Sequence, residues 1–299
     1  MKTAEGPSTS QPLITTSQEV QSAAKATTAQ QAHNGRTTSM KSRGKILNYL
    51  LQTRTKHGAG YFVLIDPDKW QLKQLPDIAA AASENGADAI LIGGSLLLSA
   101  SFDDIVKTIK KAVTIPCVIF PGSTIQLSRH ADAILFLSLI SSRNADYLIG
   151  MQIMAAPIIR LLGLEPLPTG YMLIASGRVT SAEFMSNSRP IPRDKNDIAQ
   201  ATALAAEYLG MQMVYLEAGS GADLAVTPEM VKAVSSYVSI PVIVGGGIRT
   251  PEEAEKRVKA GASFVVTGNV LEKNSNVQLI REFAHAIHGA VAPSSKEPT

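Results

Sequence analysis

Tyr215-Leu216-Glu217-Ala218-Gly219-Ser220-Gly221 joins a strand-like apolar run to a glycine-rich turn and carries a carboxylate in its middle. Side chains alternate between the two faces of a strand, so Tyr215, Glu217 and Gly219 should share one face. Burying a lone carboxylate is costly unless a partner or ligand compensates it. A charge near the carboxyl end of a strand, beside small residues, is typical of the catalytic mouth of a (β/α)8 barrel. A salt-bridged core residue is the alternative interpretation of Glu217.

Two further apolar runs downstream also end in small residues. They read Val-Ile-Val-Gly-Gly-Gly-Ile over residues 242–248 and Phe-Val-Val-Thr-Gly-Asn over residues 264–269. Glycine lets a ligand approach the backbone, and free N–H groups at such turns bind phosphate oxygens. Phosphate sites built from the loops after strands seven and eight recur in (β/α)8 barrels. The two runs therefore predict a phosphate-binding mouth.

Composition limits the class of protein. The chain has 299 residues, 45% of them hydrophobic, and a net charge of +3, which suits one α/β domain with a sizeable core. This small charge, without basic residues interleaved with aromatic ones, argues against a nucleic-acid partner. Cys117 is the single cysteine, which excludes an internal disulfide and a cysteine-based zinc site and predicts a cytoplasmic protein. No uninterrupted apolar run reaches the ~18 residues that span a bilayer.

The order of elements predicts a single (β/α)8 TIM barrel in residues 41–290. Eight apolar runs, the first at Tyr61–Asp66 and the fifth at Gly170–Ala175, alternate with helical patterns. Residues 1–40 are rich in Ser, Thr, Gln and Ala, and we expect a disordered tail there because they bury too little apolar surface. Residues 291–299 are expected to form a C-terminal tail.

One strand-to-strand connection is irregular. Only eleven residues separate Phe120 from Asp132, which is too few for a full crossover helix. We expect an incomplete or replaced third helix and an opening in the barrel wall that a long apolar substrate can use. A loop with one short turn and no special role is the alternative.

Polar groups elsewhere in the chain predict two further binding sites, one for a metal ion and one for an anion. Strand one ends at Asp66, followed by Pro-Asp-Lys, and strand two ends in Gly-Gly-Ser at residues 93–95. Oxygen ligands at adjacent strand ends suit Mg²⁺, which takes few protein ligands and fills its shell with water and phosphate. The loop after strand five contains four basic residues that attract a diphosphate or form a solvated surface loop: Arg178, Arg189, Arg193 and Lys195.

Five motifs together resemble those of the geranylgeranylglyceryl phosphate synthases. They are Leu-Ile-Asp-Pro-Asp-Lys (64–69), Ile-Gly-Gly-Ser (92–95), Tyr-Leu-Glu-Ala-Gly-Ser-Gly (215–221), Val-Gly-Gly-Gly-Ile-Arg (244–249) and Thr-Gly-Asn (267–269). The resemblance spans roughly residues 45–288, in order and with matching spacing. It implies an Mg²⁺-dependent prenyltransferase that joins geranylgeranyl diphosphate to the 3-hydroxyl of sn-glycerol 1-phosphate and releases diphosphate.

The resemblance also implies roles for single residues. Asp66 and Ser95 would hold the metal, and the catalytic groups would be Glu217, which accepts or orients the hydroxyl proton, and Tyr215. The residues expected to bind glycerol phosphate are Tyr215, Leu216, Glu217, Ala218, Gly219, Ser220, Gly221, Gly245, Gly246, Gly247, Gly268 and Asn269.

Assembly and two competing functions complete the expectations. The resemblance and an exposed apolar groove favour a homo-oligomer, and a lipid product implies transient contact with a membrane. A phosphosugar isomerase or lyase on a related phosphate-binding barrel is one alternative, which a binding test with a long prenyl diphosphate distinguishes. A non-catalytic phospholipid-binding barrel is the other, and retention of both Asp66 and Glu217 argues against it.

Overall fold

The computed structural model describes residues 44–98, 101–268 and 277–290, and these form a closed parallel barrel. Each strand pairs with its neighbours in the chain, and the last pairs with the first, so no sheet edge is exposed. The strands are β1 (Gly60–Ile65), β2 (Ala89–Ile92), β3 (Cys117–Ile119), β4 (Ala133–Leu139), β5 (Glu165–Leu173), β6 (Met213–Glu217), β7 (Val242–Gly245) and β8 (Phe264–Thr267).

Helices pack around this barrel. Short 3₁₀ turns at Pro67–Lys69 and Leu72–Gln74 precede the second helix, and a π-helical turn at Asp146–Gly150 leads into the fourth. The helices are α1 (Lys45–His57), α2 (Leu75–Glu84), α3 (Phe102–Ala112), α4 (Met151–Leu162), α5 (Ser181–Ser186), α6 (Asn196–Tyr208), α7 (Pro228–Ser235), α8 (Pro251–Lys259) and α9 (Val277–His288).

The predicted TIM barrel is confirmed, with one strand boundary clearly misplaced. β5 begins at Glu165 rather than Gly170, because β4 pairs with it from Ala133↔Glu165 onward. Pro166 and Pro168 are tolerated there since β6 pairs with β5 only from Thr169. The predicted tails, residues 1–40 and 291–299, lie outside the described residues. Within the described part of the chain, no helix is long and apolar enough to cross a membrane.

Helix α1, which the sequence did not predict, contributes to the packed interior of the barrel. Ile46, Leu47 and Leu50 are buried among inward-facing strand side chains such as Phe62. The Glu165 carboxylate, at the start of β5, accepts hydrogen bonds from the Ile46 and Leu47 backbone N–H groups, at 2.8 and 2.9 Å. A carboxylate at a helix N-terminus satisfies orphan N–H groups and complements the helix dipole. The helix is therefore fixed to the barrel at its first turn.

The connection between β3 and β4 confirms the expectation of an incomplete third helix, that is, of the helix that would follow the third strand. Residues 120–132, all described, form turns without a helix. The buried Gln126 organises this connection, because its carboxamide accepts from the Gly122 N–H (3.1 Å) and donates to the Gly94 carbonyl (2.9 Å). Without a covering helix, the outward-facing Ile134 and Phe136 of β4 line a cavity. The opening beside the barrel wall is thus present.

Replacing Glu165 with Ala should destabilise the barrel by about 2 kcal/mol, because two charge-assisted hydrogen bonds to the first turn of α1 are lost. Urea unfolding monitored by circular dichroism measures the change. The matched control is the exposed Glu84, the last residue of α2. Glu84→Ala should change stability by less than about 0.5 kcal/mol. Equal effects of both substitutions would contradict the capping role of Glu165.

Candidate active site

A cavity of 920 Å³ opens at the carboxyl ends of the strands and brings together most of the predicted site residues. One side is polar and consists of the strand ends β1, β2, β6, β7 and β8. The other side is apolar and extends over β4 toward α4. The predicted residues that line the cavity are Asp66, Ser95, Arg178, Tyr215, Glu217, Gly219, Ser220, Gly221, Gly246, Gly247 and Gly268.

Glu217 is buried at the end of β6, with 5% of its surface exposed. Its Oε1 accepts a hydrogen bond from the Gly219 backbone N–H at 2.5 Å, and the Tyr215 and Tyr171 hydroxyls donate to its carboxylate. Burial raises the pKa of Glu217, and these three hydrogen bonds oppose that rise. Among the described residues, none of the ion pairs includes Glu217. The carboxylate is therefore held by hydrogen bonds and faces the cavity, and the salt-bridged core alternative is wrong among the described residues.

Tyr171 is a site residue that the sequence analysis missed. It lies opposite Tyr215 in the pairing of β5 with β6, and its ring lines the cavity. Burial, followed by the neighbouring Glu217 carboxylate, raises the pKa of Tyr171 and of Tyr215 well above the usual range. Both phenols therefore stay protonated and donate to Glu217. The pairing of neighbouring strands is what brings Tyr171 to this carboxylate.

The triple-glycine turn after β7 fits against the Glu217 loop so closely that side chains are excluded. Gly246 has φ +81°, and a Cβ there would lie 2.5 Å from Glu217 Oε1. Gly247 has φ +70°, and its Cβ would lie 2.9 Å from the Ala225 backbone nitrogen. Gly245 does not line the cavity, and a Cβ at this position would strike the Tyr215 hydroxyl. The turn thus presents Gly246 and Gly247 to a ligand, while Gly245 makes room for Tyr215.

Besides Gly245, three other residues predicted to bind substrate are not among the described residues that line the cavity. Leu216 and Ala218 point outward and are buried in the layer between barrel and helices, so their side chains do not reach the cavity. Asn269 lies outside the described residues. The alternation of a strand explains the first two, because both neighbours of Glu217 must face the opposite side.

Asp66 directly follows β1 and lines the cavity. Its Oδ1 accepts from the Asp68 N–H at 3.2 Å, which caps the short helix that follows, and burial raises the pKa of Asp66. The Gly94 backbone is so close that a Cβ there would lie 2.8 Å from Asp66 Oδ1. A partly buried carboxylate beside Ser95 suits a hard cation that completes its shell with water and phosphate oxygens. Among the described residues, no group of three or more His, Cys, Asp or Glu side chains is placed to hold a metal ion.

The basic loop after β5 is divided between the cavity and the outside surface. Arg178 lines the cavity and lies 3.8 Å from the Asp223 carboxylate, measured between Arg178 Nη1 and Asp223 Oδ1. The Arg193 guanidinium instead donates to the Ala225 carbonyl. Arg189 and Lys195 are exposed and do not line the cavity.

Two cations that the sequence analysis did not assign to the site face this cavity. Lys69 and Arg249 line it, and Arg249 Nη2 donates to the Ala222 carbonyl at 3.0 Å. The sequence signal that could have identified them is their position shortly after a strand end, since Lys69 follows β1 and Arg249 follows β7. With Arg178, they are the basic residues that line the cavity, whereas Arg189, Arg193 and Lys195 do not line it.

The apolar part of the cavity lies where the sequence predicted a groove. Inward-facing Leu135 and Leu137 line it, together with outward-facing Ile134 and Phe136. Helix α4 forms its other wall through Met151, Gln152, Ala155 and Ile159. The groove thus continues from the barrel mouth across the open side of β4, and its apolar lining suits a hydrocarbon chain.

Comparison with known proteins gives consistent matches over the barrel. A model of the PcrB family matches residues 52–287. The geranylgeranylglyceryl phosphate synthase of Chitinophaga pinensis is 46% identical over 246 residues, which cover 82% of this chain and 97% of that relative. The enzyme of the same name from Thermofilum pendens is 44% identical over 237 residues, covering 79% and 92%.

A solved structure matches equally well. The (S)-3-O-geranylgeranylglyceryl phosphate synthase of Thermoplasma acidophilum, in complex with its substrate sn-glycerol-1-phosphate, has 35% sequence identity and a TM-score of 0.76. The match covers 82% of this chain and 98% of that one.

Replacing Gly246 with Ala should destabilise the protein more than the same change at Gly210. The two backbones have nearly equal φ values, +81° and +82°, but a Cβ at Gly210 would meet nothing within 4 Å. Both changes incur strain of about 1 kcal/mol, and Gly246→Ala in addition pushes Glu217 off the Gly219 N–H, for a further loss of about 1–3 kcal/mol. Urea unfolding of both variants measures the difference. Equal losses would show that the turn does not pack against Glu217 as described.

Proposed function

The chain belongs to the PcrB family, with the geranylgeranylglyceryl phosphate synthases, and on this premise we propose that it transfers a geranylgeranyl group to sn-glycerol 1-phosphate. The allylic carbon of geranylgeranyl diphosphate becomes bonded to the 3-hydroxyl oxygen, and diphosphate leaves. The observation that carries this proposal is the division of one cavity into three parts. The glycine turns beside Glu217 suit the acceptor. The Asp66 carboxylate, with cations nearby, suits the diphosphate and its metal, and the apolar groove between the two suits the hydrocarbon chain.

Glu217 is proposed to receive the proton of the acceptor hydroxyl. Its three hydrogen bonds fix the carboxylate at the edge of the glycine turns, so a phosphate bound at Gly246 and Gly247 places the glycerol within reach of it. Holding nucleophile and base in one geometry replaces part of the entropic barrier. A raised pKa brings Glu217 closer to the working pH, which improves proton acceptance.

Asp66 and Ser95 are proposed to hold Mg²⁺ at the diphosphate. When bound, this ion would neutralise charge on the leaving diphosphate. Lys69, Arg178 and Arg249 line the same cavity and add positive charge for the anion. The chain's own contribution is to hold the diphosphate on the side of β1 and β2, opposite Glu217.

The acceptor enantiomer and the donor length follow from the same premise. The Thermoplasma acidophilum relative holds sn-glycerol-1-phosphate, which supports this enantiomer for the chain. A C20 donor is proposed because the relatives are named geranylgeranylglyceryl phosphate synthases, and the apolar groove that reaches Ile159 offers room for a hydrocarbon chain. A homo-oligomer whose interface borders the groove, transient contact with a membrane and a cytoplasmic location stay predictions.

The test is product analysis by mass spectrometry. The purified full chain is incubated with Mg²⁺, either enantiomer of glycerol 1-phosphate, and prenyl diphosphates from C15 to C35. We expect the C20 ether of the sn-1 enantiomer as the main product. Absence of any prenyl ether, or interconversion of phosphosugars instead, would contradict the proposal.

Glu217→Gln should lower kcat by roughly 10²-fold or more while glycerol phosphate still binds, because the amide keeps a similar shape but accepts no proton. In the wild type, kcat/KM should fall as pH drops through the pKa of Glu217. Because burial raises that pKa, the fall should lie above the usual glutamate value of about 4.3. Steady-state rates from pH 4.5 to 8.5 and calorimetry of glycerol phosphate binding measure both effects. A proportionate loss of binding and rate would indicate a structural role.

Asp66→Asn should abolish measurable Mg²⁺ binding in the presence of inorganic pyrophosphate, because the charged ligand is lost, and should lower turnover at least 10²-fold. Calorimetric titration with Mg²⁺ reports binding independently of activity. The exposed Asp77 of α2 is the control, and Asp77→Asn should change neither. Wild-type Mg²⁺ affinity in folded Asp66→Asn would remove Asp66 from the metal site.

A further inference from the structure

Three aromatic rings lie between the two ends of the cavity. The proposed function does not yet assign these rings a role at the allylic carbon. Phe120 follows β3, Tyr171 lies on β5 and Tyr215 on β6, and all three line the cavity. The ring centroids of Phe120 and Tyr215 are 5.4 Å apart and nearly parallel, at 24°. Tyr171 meets both rings edge to face, with centroids 5.9 Å from Phe120 and 5.4 Å from Tyr215. The cluster therefore forms one aromatic surface at the mouth.

The position of this surface corresponds to the reacting carbon. The anion-binding strand ends β1 and β2 precede Phe120 around the barrel, and Glu217 with the glycine turns follows Tyr215. A donor with its diphosphate at β1 and β2 and its hydrocarbon chain in the groove over β4 would pass these rings before it reaches an acceptor beside Glu217. Phe120 and Tyr171 are only partly buried, so their ring surface is exposed to the cavity at this place, whereas Tyr215 is buried and stacks on Phe120.

The hydrogen bonds of the two tyrosines increase the electron density of their rings. Both hydroxyls donate to the Glu217 carboxylate, and a phenol that donates to an anion carries a more electron-rich π system. A cation within about 6 Å of an aromatic centroid is attracted by the negative ring face, more strongly when water is excluded. Glu217 thus acts on the ring faces as well as on the acceptor hydroxyl.

We infer that Phe120 and Tyr171, with the buried Tyr215 stacked on Phe120, stabilise positive charge on the allylic carbon during transfer, an inference that rests on the proposed function. The C1–O bond to diphosphate breaks first, and its electron pair leaves with the diphosphate. The resulting allylic cation lies on the ring faces until the glycerol oxygen bonds to C1. The hydroxyl proton passes to Glu217. Phe120 is the informative residue, since it makes no hydrogen bond through its side chain and can act only through its ring.

Aromatic packing alone is the competing explanation, and the barrel supplies a matched control for it. Phe62 and Phe264 stack at 4.8 Å in the interior of the barrel, buried and absent from the cavity lining. Fluorination leaves the size of a phenylalanine nearly unchanged but withdraws electron density from its face. Charge stabilisation depends on that density, whereas packing does not.

The experiment replaces Phe120, and separately Phe62, with mono-, di- and trifluorophenylalanine in the full-length chain. The dissociation constant of geranylgeranylammonium, a cationic mimic, is measured with inorganic pyrophosphate present, and that of neutral geranylgeraniol is measured in parallel. At position 120 the ammonium affinity should fall stepwise, on the order of 10-fold by the trifluorinated ring. The alcohol affinity should stay constant, and kcat for geranylgeranyl diphosphate should fall in parallel with the ammonium affinity. The Phe62 series should show no trend in any of these quantities.

Two results would overturn the inference. Equal changes in ammonium and alcohol affinity, or a flat series at position 120 in an enzyme that forms product, would leave only a packing role for the ring. If the wild type forms no prenyl ether, the proposed function fails and the inference fails with it. A comparison of Tyr171→Phe with Tyr171→Leu adds an independent check, because the phenyl ring should retain more ammonium affinity than the aliphatic side chain.

Discussion

The buried carboxylate of Glu217 sets the architecture of the mouth. Three hydrogen bonds compensate its burial, and each one constrains a different element: the Gly219 N–H fixes the loop after β6, while Tyr171 and Tyr215 align β5 and β6. The turn after β7 must then accommodate the carboxylate without a side chain of its own, which explains Gly246. A partly satisfied network would be costly, so these groups act as a unit. Binding site, base and aromatic surface all follow from this one buried charge.

The missing crossover helix complements this network at a neighbouring part of the mouth, where Phe120 stacks on Tyr215. A complete (β/α)8 wall would cover Ile134 and Phe136, and the mouth could then accept only a compact ligand. In place of the absent helix, the Gln126 side chain fixes the connection by donating a hydrogen bond to the Gly94 carbonyl beside Asp66. The same loop thus closes the fold locally and leaves the outer face of β4 open along α4. A substrate with a small charged head and a long hydrocarbon tail fits a barrel built in this way.

Local patterns in the sequence predicted the barrel and the polar side of its site. Alternation within 215–221 placed Tyr215 and Glu217 on one face correctly, since it depends only on strand geometry. The same alternation excludes the side chains of Leu216 and Ala218, which family motifs include because motifs are contiguous. Tyr171 was missed because its role depends on pairing between β5 and β6, which no local pattern encodes. The direction of loop side chains is equally hidden, and so Lys69 and Arg249 replaced Arg189 and Lys195 at the cavity.

Helix α1 has a consequence for how the chain reaches this state. Its N-terminal N–H groups find their acceptor at Glu165, which is 119 residues further along from Ile46. During synthesis the apolar face formed by Ile46, Leu47 and Leu50 precedes every strand against which it packs. Contacts at such sequence separation form late, because loop closure must be completed before they contribute. The first helix of the barrel can therefore complete its docking only after β5 has been synthesised.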